Sequence, residues 1–126
     1  PPKQTETHKI FQIMITINDF AKVEIKAGKI LSAEPIEGSE KLLKLSVDFN
    51  EENPRQVISG IAKFVSTSEL VGVTCAFVTN LEPREIMGLK SEAMIMAFSK
   101  NKTETEEGFF SLLKVPETVT PGAQVK

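Results

Sequence analysis

The chain concentrates its candidate binding residues in one polar segment, which runs from Asn80 to Met96. Arg84 and Lys90 offer positive charges that pair with anions such as phosphate, and Ser91 adds a hydroxyl that can donate and accept hydrogen bonds. The segment lies between two apolar stretches, and we predict that most of it is a loop. A polar loop with this much chemistry and no evident core role is typical of a binding site.

The rest of the sequence offers little chemistry for catalysis or metal binding. His8 is the only histidine and Cys75 the only cysteine, so neither has the partners that a metal site needs. Cys75 lies in an apolar stretch and is predicted to be a small buried thiol. The adjacent carboxylates at 51–52 and 106–107 are predicted to be solvated. We therefore expect no metal, no cofactor and no catalysis by this domain alone.

Composition places the chain among single globular domains. It has 126 residues, 40% hydrophobic and 25% charged, and no apolar run near the roughly 20 residues of a membrane helix. A single cysteine cannot form an internal disulfide, so a cytoplasmic location is expected. The net charge of −2 argues weakly against general nucleic-acid binding. Several lysines nevertheless lie outside the acidic clusters and could form a basic face.

The first 17 residues suggest two different roles. Residues 1–9 are polar and begin Pro-Pro, which predicts a tether in a fragment or processed chain, followed by a domain over 10–126. Residues 10–17 read IFQIMITI, an apolar stretch that must either pack on the domain or meet a partner as an edge strand.

Alternation of apolar and polar residues predicts five short strands, at 23–33, 43–49, 55–59, 73–79 and 93–98. Gly28 interrupts the first strand, where we expect a bulge or a sharp bend. Ser66 and Glu69 have capping-box spacing, which predicts one helical turn through Leu70 that stops at Gly72. This order predicts an all-β, five-stranded Greek-key barrel of the oligonucleotide/oligosaccharide-binding (OB) type, with a short helix between strands three and four and extra terminal segments.

Five motifs, in order and without large gaps, make the prediction more specific. They are DFAKVEIKAGKI at 19–30, GSEKLLKL at 38–45, RQVISGIA at 55–62, NLEPREIMG at 80–88 and SEAM at 91–94. Together with the PGAQVK ending, they resemble the tRNA-binding OB-fold domains found free-standing in bacteria and at the C-terminus of many methionyl-tRNA synthetases. The resemblance covers the chain from about residue 17 to its end.

The resemblance implies binding to tRNA by its shape, around the outer corner of the L, rather than by base sequence. Lysine and arginine contacts to phosphates position such a ligand without reading its sequence, and the chain lacks the Tyr and Trp of a strong stacking platform. The residues predicted to contact tRNA are Lys29, Lys41, Lys44, Lys63, Asn80, Arg84, Met87, Lys90, Ser91 and Met94. Glu92 is predicted to orient Arg84 or a loop amide.

The resemblance also implies partners. We expect a homodimer and an aminoacyl-tRNA synthetase in cis or in trans, whose affinity for tRNA the domain would raise. Related alternatives are a free-standing tRNA-binding protein, a synthetase scaffold protein, or a chaperone-like module that binds apolar peptides. Two residues depart from the family pattern: Ala93 replaces a usual glycine, and Glu85 replaces a second basic residue beside Arg84.

Overall fold

The structure is a computed structural model that describes residues 13–126. Its elements are α1 (Ile17–Phe20), β1 (Ile25–Pro35), β2 (Leu43–Asp48), β3 (Arg55–Ser59), α2 (Thr67–Leu70), β4 (Thr74–Val78), β5 (Arg84–Ile86), β6 (Leu89–Ser91), β7 (Met94–Ile95), β8 (Ala97–Lys100) and β9 (Phe109–Leu112). Five strands form an antiparallel sheet in the order β3-β2-β1-β4-β7, which curves into a nearly closed barrel. The predicted fold class is confirmed.

The barrel interior is built from the alternating apolar residues that the sequence indicated. Along β2, Leu43, Leu45 and Val47 are buried while the residues between them face outward. Phe49 follows directly and meets Phe77 of β4 edge-on, with ring centroids 5.2 Å apart. Because successive strand residues point to opposite faces, the same pattern that fills the core also presents a polar outer face.

Gly28 is not the site of a bulge, one of the two features predicted there. It pairs regularly with Cys75, and the irregularity in β1 lies later, between Ile30 and Ser32. A Cβ atom on Gly28 would lie 2.5 Å from the Phe49 ring. The glycine is therefore needed because Phe49 approaches the backbone closely, and the register shift falls at Leu31, three residues further along.

Two predicted elements are confirmed in type but differ in detail. The helical turn α2 begins after Ser66, whose backbone N–H donates to the Glu69 carboxylate at 3.2 Å.

The predicted fifth strand is divided by Met96 into β7 and β8, and β8 turns away from the barrel to pair with β9. The polar segment predicted to be a loop contains the β5–β6 hairpin.

Both ends of the described chain lie outside the barrel. Of the apolar stretch at 10–17, residues 10–12 fall outside the described residues, and α1 begins at its end with the Thr16–Asp19 capping box. The C-terminal segment runs beside β1, where Val125 N donates to Ile25 O at 2.8 Å. Within residues 13–126, none of the helices has the length and apolar character required to cross a membrane.

Candidate nucleic-acid interface

An open groove of about 380 Å³ crosses the outer face of β1, β2 and β3. Strand register places its polar residues side by side: Ser32 is opposite Ser46, which is opposite Gln56. Two residues further along β1, on the same face of the sheet, Glu34 is opposite Lys44, and the Lys44 ammonium lies 3.0 Å from the Glu34 carboxylate. The groove is thus polar, and its central lysine is paired with an acid.

The β5–β6 hairpin projects beside this groove and turns through Met87 and Gly88. Both residues have positive φ, 51° and 78°, as the two central positions of a type I′ turn require. Methionine rarely adopts this conformation, and such strain tends to occur at functional sites. The Met87 side chain is 56% exposed, and its Cε reaches the β1–β2 loop, 3.7 Å from where a Gly38 Cβ would lie.

The hairpin presents its charged residues on two faces. Arg84 is opposite Ser91, and Glu85 is opposite Lys90, so alternation sends Arg84 and Lys90 to opposite sides. Arg84 lines a small, mainly apolar cleft together with Met94 and other residues of the hairpin base. Lys90 is exposed on the other side, next to Glu85 in register. Arg84 and Lys90 therefore lie in two separate patches on the hairpin.

Ser91 is buried at the base of the β5–β6 hairpin, and its hydroxyl is bonded within the domain. Its side chain is buried, and its hydroxyl accepts a hydrogen bond from Ile58 N at 3.0 Å and lies 3.2 Å from Ala93 O. The neighbouring Glu92 N donates to Gln56 O at 2.8 Å. These bonds attach the end of β6 to the free edge of β3 and help to close the barrel.

Glu92 takes neither of the two roles predicted for it, which were to orient Arg84 or a loop amide. Its carboxylate accepts from the backbone N–H of Gln56 at 3.3 Å, so it binds an amide rather than Arg84. The amide belongs to β3, not to a loop.

Asn80 has both polar atoms of its side chain occupied by backbone groups. Its Oδ1 accepts from Glu24 N at 2.8 Å, and its Nδ2 donates to Lys22 O at 2.6 Å. Beside it, the Thr79 hydroxyl donates to the Glu24 carboxylate at 2.6 Å and holds the pKa of that carboxyl below its usual value. Asn80 thus joins the end of β4 to the segment that leads into β1.

Arg55 is a site residue that sequence reasoning did not single out. Its guanidinium donates to Thr79 O at 2.6 Å and to Glu92 O at 3.2 Å, and it forms a two-pronged pair with Glu51. These hydrogen bonds lower the pKa of Glu51 and raise that of Arg55. The spacing of four residues between Glu51 and Arg55 was the sole sequence signal, and it does not reveal the two distant carbonyls.

The predicted lysine contacts fall into two places. Ala62 N donates to Lys41 O at 3.0 Å, so Lys41 and Lys63 belong to adjacent loops at the same end of the barrel as Lys44. Lys29 is exposed but lies five residues from Glu34 along β1, roughly 16 Å away at about 3.3 Å per residue. Lys41, Lys44 and Lys63 can therefore act together on one ligand more directly than Lys29 can.

Cys75 matches its prediction as a buried thiol. It is fully buried in β4, and desolvation raises its pKa to about 11. A thiol with that pKa is a poor nucleophile near neutral pH, because the thiolate is the reactive form. Among residues 13–126, no group of three or more His, Cys, Asp or Glu side chains is placed to hold a metal ion.

Comparison with known proteins identifies the family of this barrel. Residues 25–124 match the family model described as "Putative tRNA binding domain". The chain belongs to the tRNA-binding domain family. The methionine–tRNA ligase of Methanocella arvoryzae is 43% identical over 112 residues, which are 89% of this chain and 15% of that enzyme. The Thermotoga maritima enzyme is 40% identical over 123 residues, or 98% of this chain and 18% of the enzyme.

Solved structures share the fold of this domain. A MetRS-related protein from Pyrococcus horikoshii superposes with a TM-score of 0.76 at 36% identity, covering 90% of this chain and 98% of that one. The chaperone CsaA of Bacillus anthracis superposes with a TM-score of 0.72 at 23% identity, over 90% of this chain and 99% of that one, which shows the shared fold alone. The domain is similar to the C-terminal region of methionyl-tRNA synthetases and spans less than a fifth of the length of the ligases it matches.

Proposed function

We propose that this domain binds tRNA by shape, without reading base sequence, through the groove on β1–β3 and the adjoining β5–β6 hairpin. The family match over residues 25–124 carries the proposal. The geometry supports it, because Lys41, Lys44 and Lys63 lie at one end of the barrel beside the exposed tip of the hairpin. We assign both sides of the hairpin to the same ligand, with Arg84 and Met94 on one side, Lys90 on the other and Met87 at the tip. Lys29 lies at the margin of this surface.

The proposed mechanism relies on phosphate and ribose contacts. Lysine side chains neutralise phosphates and release counterions, so affinity should fall as salt rises. RNA duplex is recognised mainly through its shape, its phosphates and its 2′-hydroxyls, which polar groove residues such as Ser46 and Gln56 could meet. The Glu34 carboxylate must give up Lys44 when a phosphate binds, which keeps the affinity modest.

In its full-length context, the domain is proposed to act as the C-terminal appendix of a methionyl-tRNA synthetase in the cytoplasm. Binding, not catalysis, is its proposed contribution. A tethered tRNA-binding domain raises the local concentration of tRNA at the catalytic body without adding a chemical step. A free-standing protein or a synthetase scaffold would use the same surface on a partner in trans.

A filter-binding titration with tRNA, a length-matched RNA duplex and a length-matched DNA duplex tests the proposal. The expected result is tightest binding to tRNA, weaker binding to duplex RNA and weakest binding to DNA. Competition by tRNAs of different sequence should be nearly equal. Equal affinity for all three ligands, or displacement by an apolar peptide with no effect of tRNA, would contradict it.

We also propose that the domain forms a homodimer through its N-terminal apolar strip. This strip consists of four large apolar residues interrupted once, by Thr16: Ile13, Met14, Ile15 and Ile17. Each of the four is at least 64% exposed. Exposed apolar clusters of this kind mark association surfaces. Light scattering should give twice the chain mass for the native protein and one chain mass for Ile15→Lys, with Thr105→Lys as an exposed control. A single chain mass for the native protein at high concentration would exclude the dimer.

A further inference from the structure

The β5–β6 hairpin, which carries Arg84, Met87 and Lys90, is attached to the barrel at both of its ends. The chain enters it from Thr79, the residue after β4, and leaves it at Glu92, the residue after β6. One side chain reaches the backbone at both points: the Arg55 Nη1 atom donates to Thr79 O at 2.6 Å and to Glu92 O at 3.2 Å. Arg55 itself belongs to β3.

The Arg55 side chain is held firmly enough to act as a fixed anchor. Its Nε and Nη2 atoms donate to the two carboxylate oxygens of Glu51 at 2.8 and 2.7 Å. Its Cζ atom lies 5.4 Å from the centroid of the Phe49 ring, a core aromatic. The side chain is only 21% exposed, so most of its donors are directed to protein groups rather than to solvent.

We propose that Arg55 is a positioning residue for tRNA binding, which acts by fixing the base of the β5–β6 hairpin. This inference rests on the proposed function, since it assigns no ligand of its own. The fork geometry of the guanidinium is essential, because one planar group must meet Glu51 on one side and two carbonyls on the other. A lysine carries the same charge but cannot satisfy all three partners.

The alternative is that Arg55 contacts a phosphate directly, since it also lines the groove. The two roles predict different behaviour of Arg55→Lys. A direct phosphate contact survives the change, because lysine also binds phosphate as a point charge. A positioning role does not, so Arg55→Lys should lose nearly as much tRNA affinity as Arg55→Gln.

Hydrogen exchange tests the anchor without any RNA. In Arg55→Lys and Arg55→Gln, the amide of Glu92 and those of the β5–β6 ladder should exchange about tenfold faster, while β1–β2 amides stay unchanged. Glu51→Gln is the graded comparison, because it removes the acid that holds the guanidinium but leaves both carbonyl bonds. Its hairpin amides should therefore be accelerated less than those of the two Arg55 variants. Native exchange rates in both Arg55 variants would overturn the inference.

Affinity measurements then connect the anchor to binding. Arg84→Gln with Lys90→Gln should weaken tRNA binding by itself, and adding Arg55→Gln should cause less further loss than it causes alone, since all three changes act through the hairpin. Fully additive losses, or full affinity in Arg55→Lys, would show a direct contact and refute the positioning role. If Arg84→Gln with Lys90→Gln leaves affinity unchanged, the hairpin part of the proposed site fails, and with it the role assigned to Arg55 in binding, whatever the exchange rates show.

Discussion

Ser91 was predicted from the sequence to contact tRNA. Replacing it with alanine tests whether its hydroxyl stabilises the fold or contacts the ligand. The hydroxyl is buried, accepts from Ile58 N at 3.0 Å and lies 3.2 Å from Ala93 O. Ser91→Ala leaves that N–H without a partner between β3 and β6. An unsatisfied buried donor costs about 1 to 3 kcal/mol, and we expect a loss near 2 kcal/mol in the free energy of unfolding.

The corresponding change in melting temperature follows from the size of the domain. With an unfolding entropy of about 2.1 cal/mol/K per residue over 126 residues, a loss of about 2 kcal/mol lowers Tm by roughly 8 °C. Thermal and urea unfolding followed by circular dichroism measure it, with Ser99→Ala, an exposed serine of β8, as the matched control. Affinity for tRNA well below Tm should change less than twofold. Native stability together with a large loss of affinity would refute this account of Ser91.

Three further predictions concern the hairpin and the Glu51–Arg55 pair. Glu85→Lys should raise tRNA affinity several-fold at low salt, because it replaces the acid opposite Lys90 with a cation; Glu104→Lys, on the far β8–β9 loop, should have a smaller effect in the same titration. Met87→Asn should raise the free energy of unfolding by about 0.5 to 1 kcal/mol in urea melts, since asparagine tolerates positive φ better; a loss of stability would refute the strain assigned to Met87. Hydrogen bonds from Arg55 lower the pKa of Glu51 in the folded protein. The Glu51–Arg55 pair therefore adds to the free energy of unfolding above the unfolded pKa of about 4.3, and this contribution is lost as the pH falls through the lower folded pKa. Glu51→Gln should therefore lower the free energy of unfolding by about 0.5 to 1 kcal/mol at pH 7, and the loss should shrink as the pH falls through the lowered pKa of Glu51. A loss that stays constant as the solution is acidified would contradict the ionic role.

The sequence predicted the barrel because its core follows local periodicity. The alternation of Leu43, Leu45 and Val47 identified β2, and the Ser66–Glu69 spacing located α2. Neither feature depends on distant parts of the chain. The role of Gly28 was harder to predict, because it is set by the ring of Phe49, which is 21 residues away in sequence.

The candidate site was less predictable because its polar residues bond across long separations. Asn80 meets Glu24 and Lys22, and Ser91 meets Ile58, at separations of 33 to 58 residues. A polar side chain in a loop motif has the same appearance in sequence whether it faces a ligand or a buried amide. Exposed Arg84, Lys90 and the barrel lysines stay predictions for tRNA contact, while the hydroxyl of Ser91 and the amide of Asn80 are occupied within the domain.

The salt dependence of tRNA affinity tests the central claim most directly. Binding is measured between 50 and 200 mM salt for the native chain, for Lys41→Gln with Lys44→Gln, and for Lys100→Gln with Lys102→Gln. The control pair removes equal charge from the β8–β9 hairpin and, like Lys44, each of its lysines faces an acid. If this end of the groove binds phosphates, log affinity falls less steeply with log salt in the first variant, and the slope becomes less negative by about 1.4 to 1.8. The control pair of substitutions leaves the slope unchanged. Equal slopes in all three proteins, or a fall in the control alone, would contradict tRNA binding at this face.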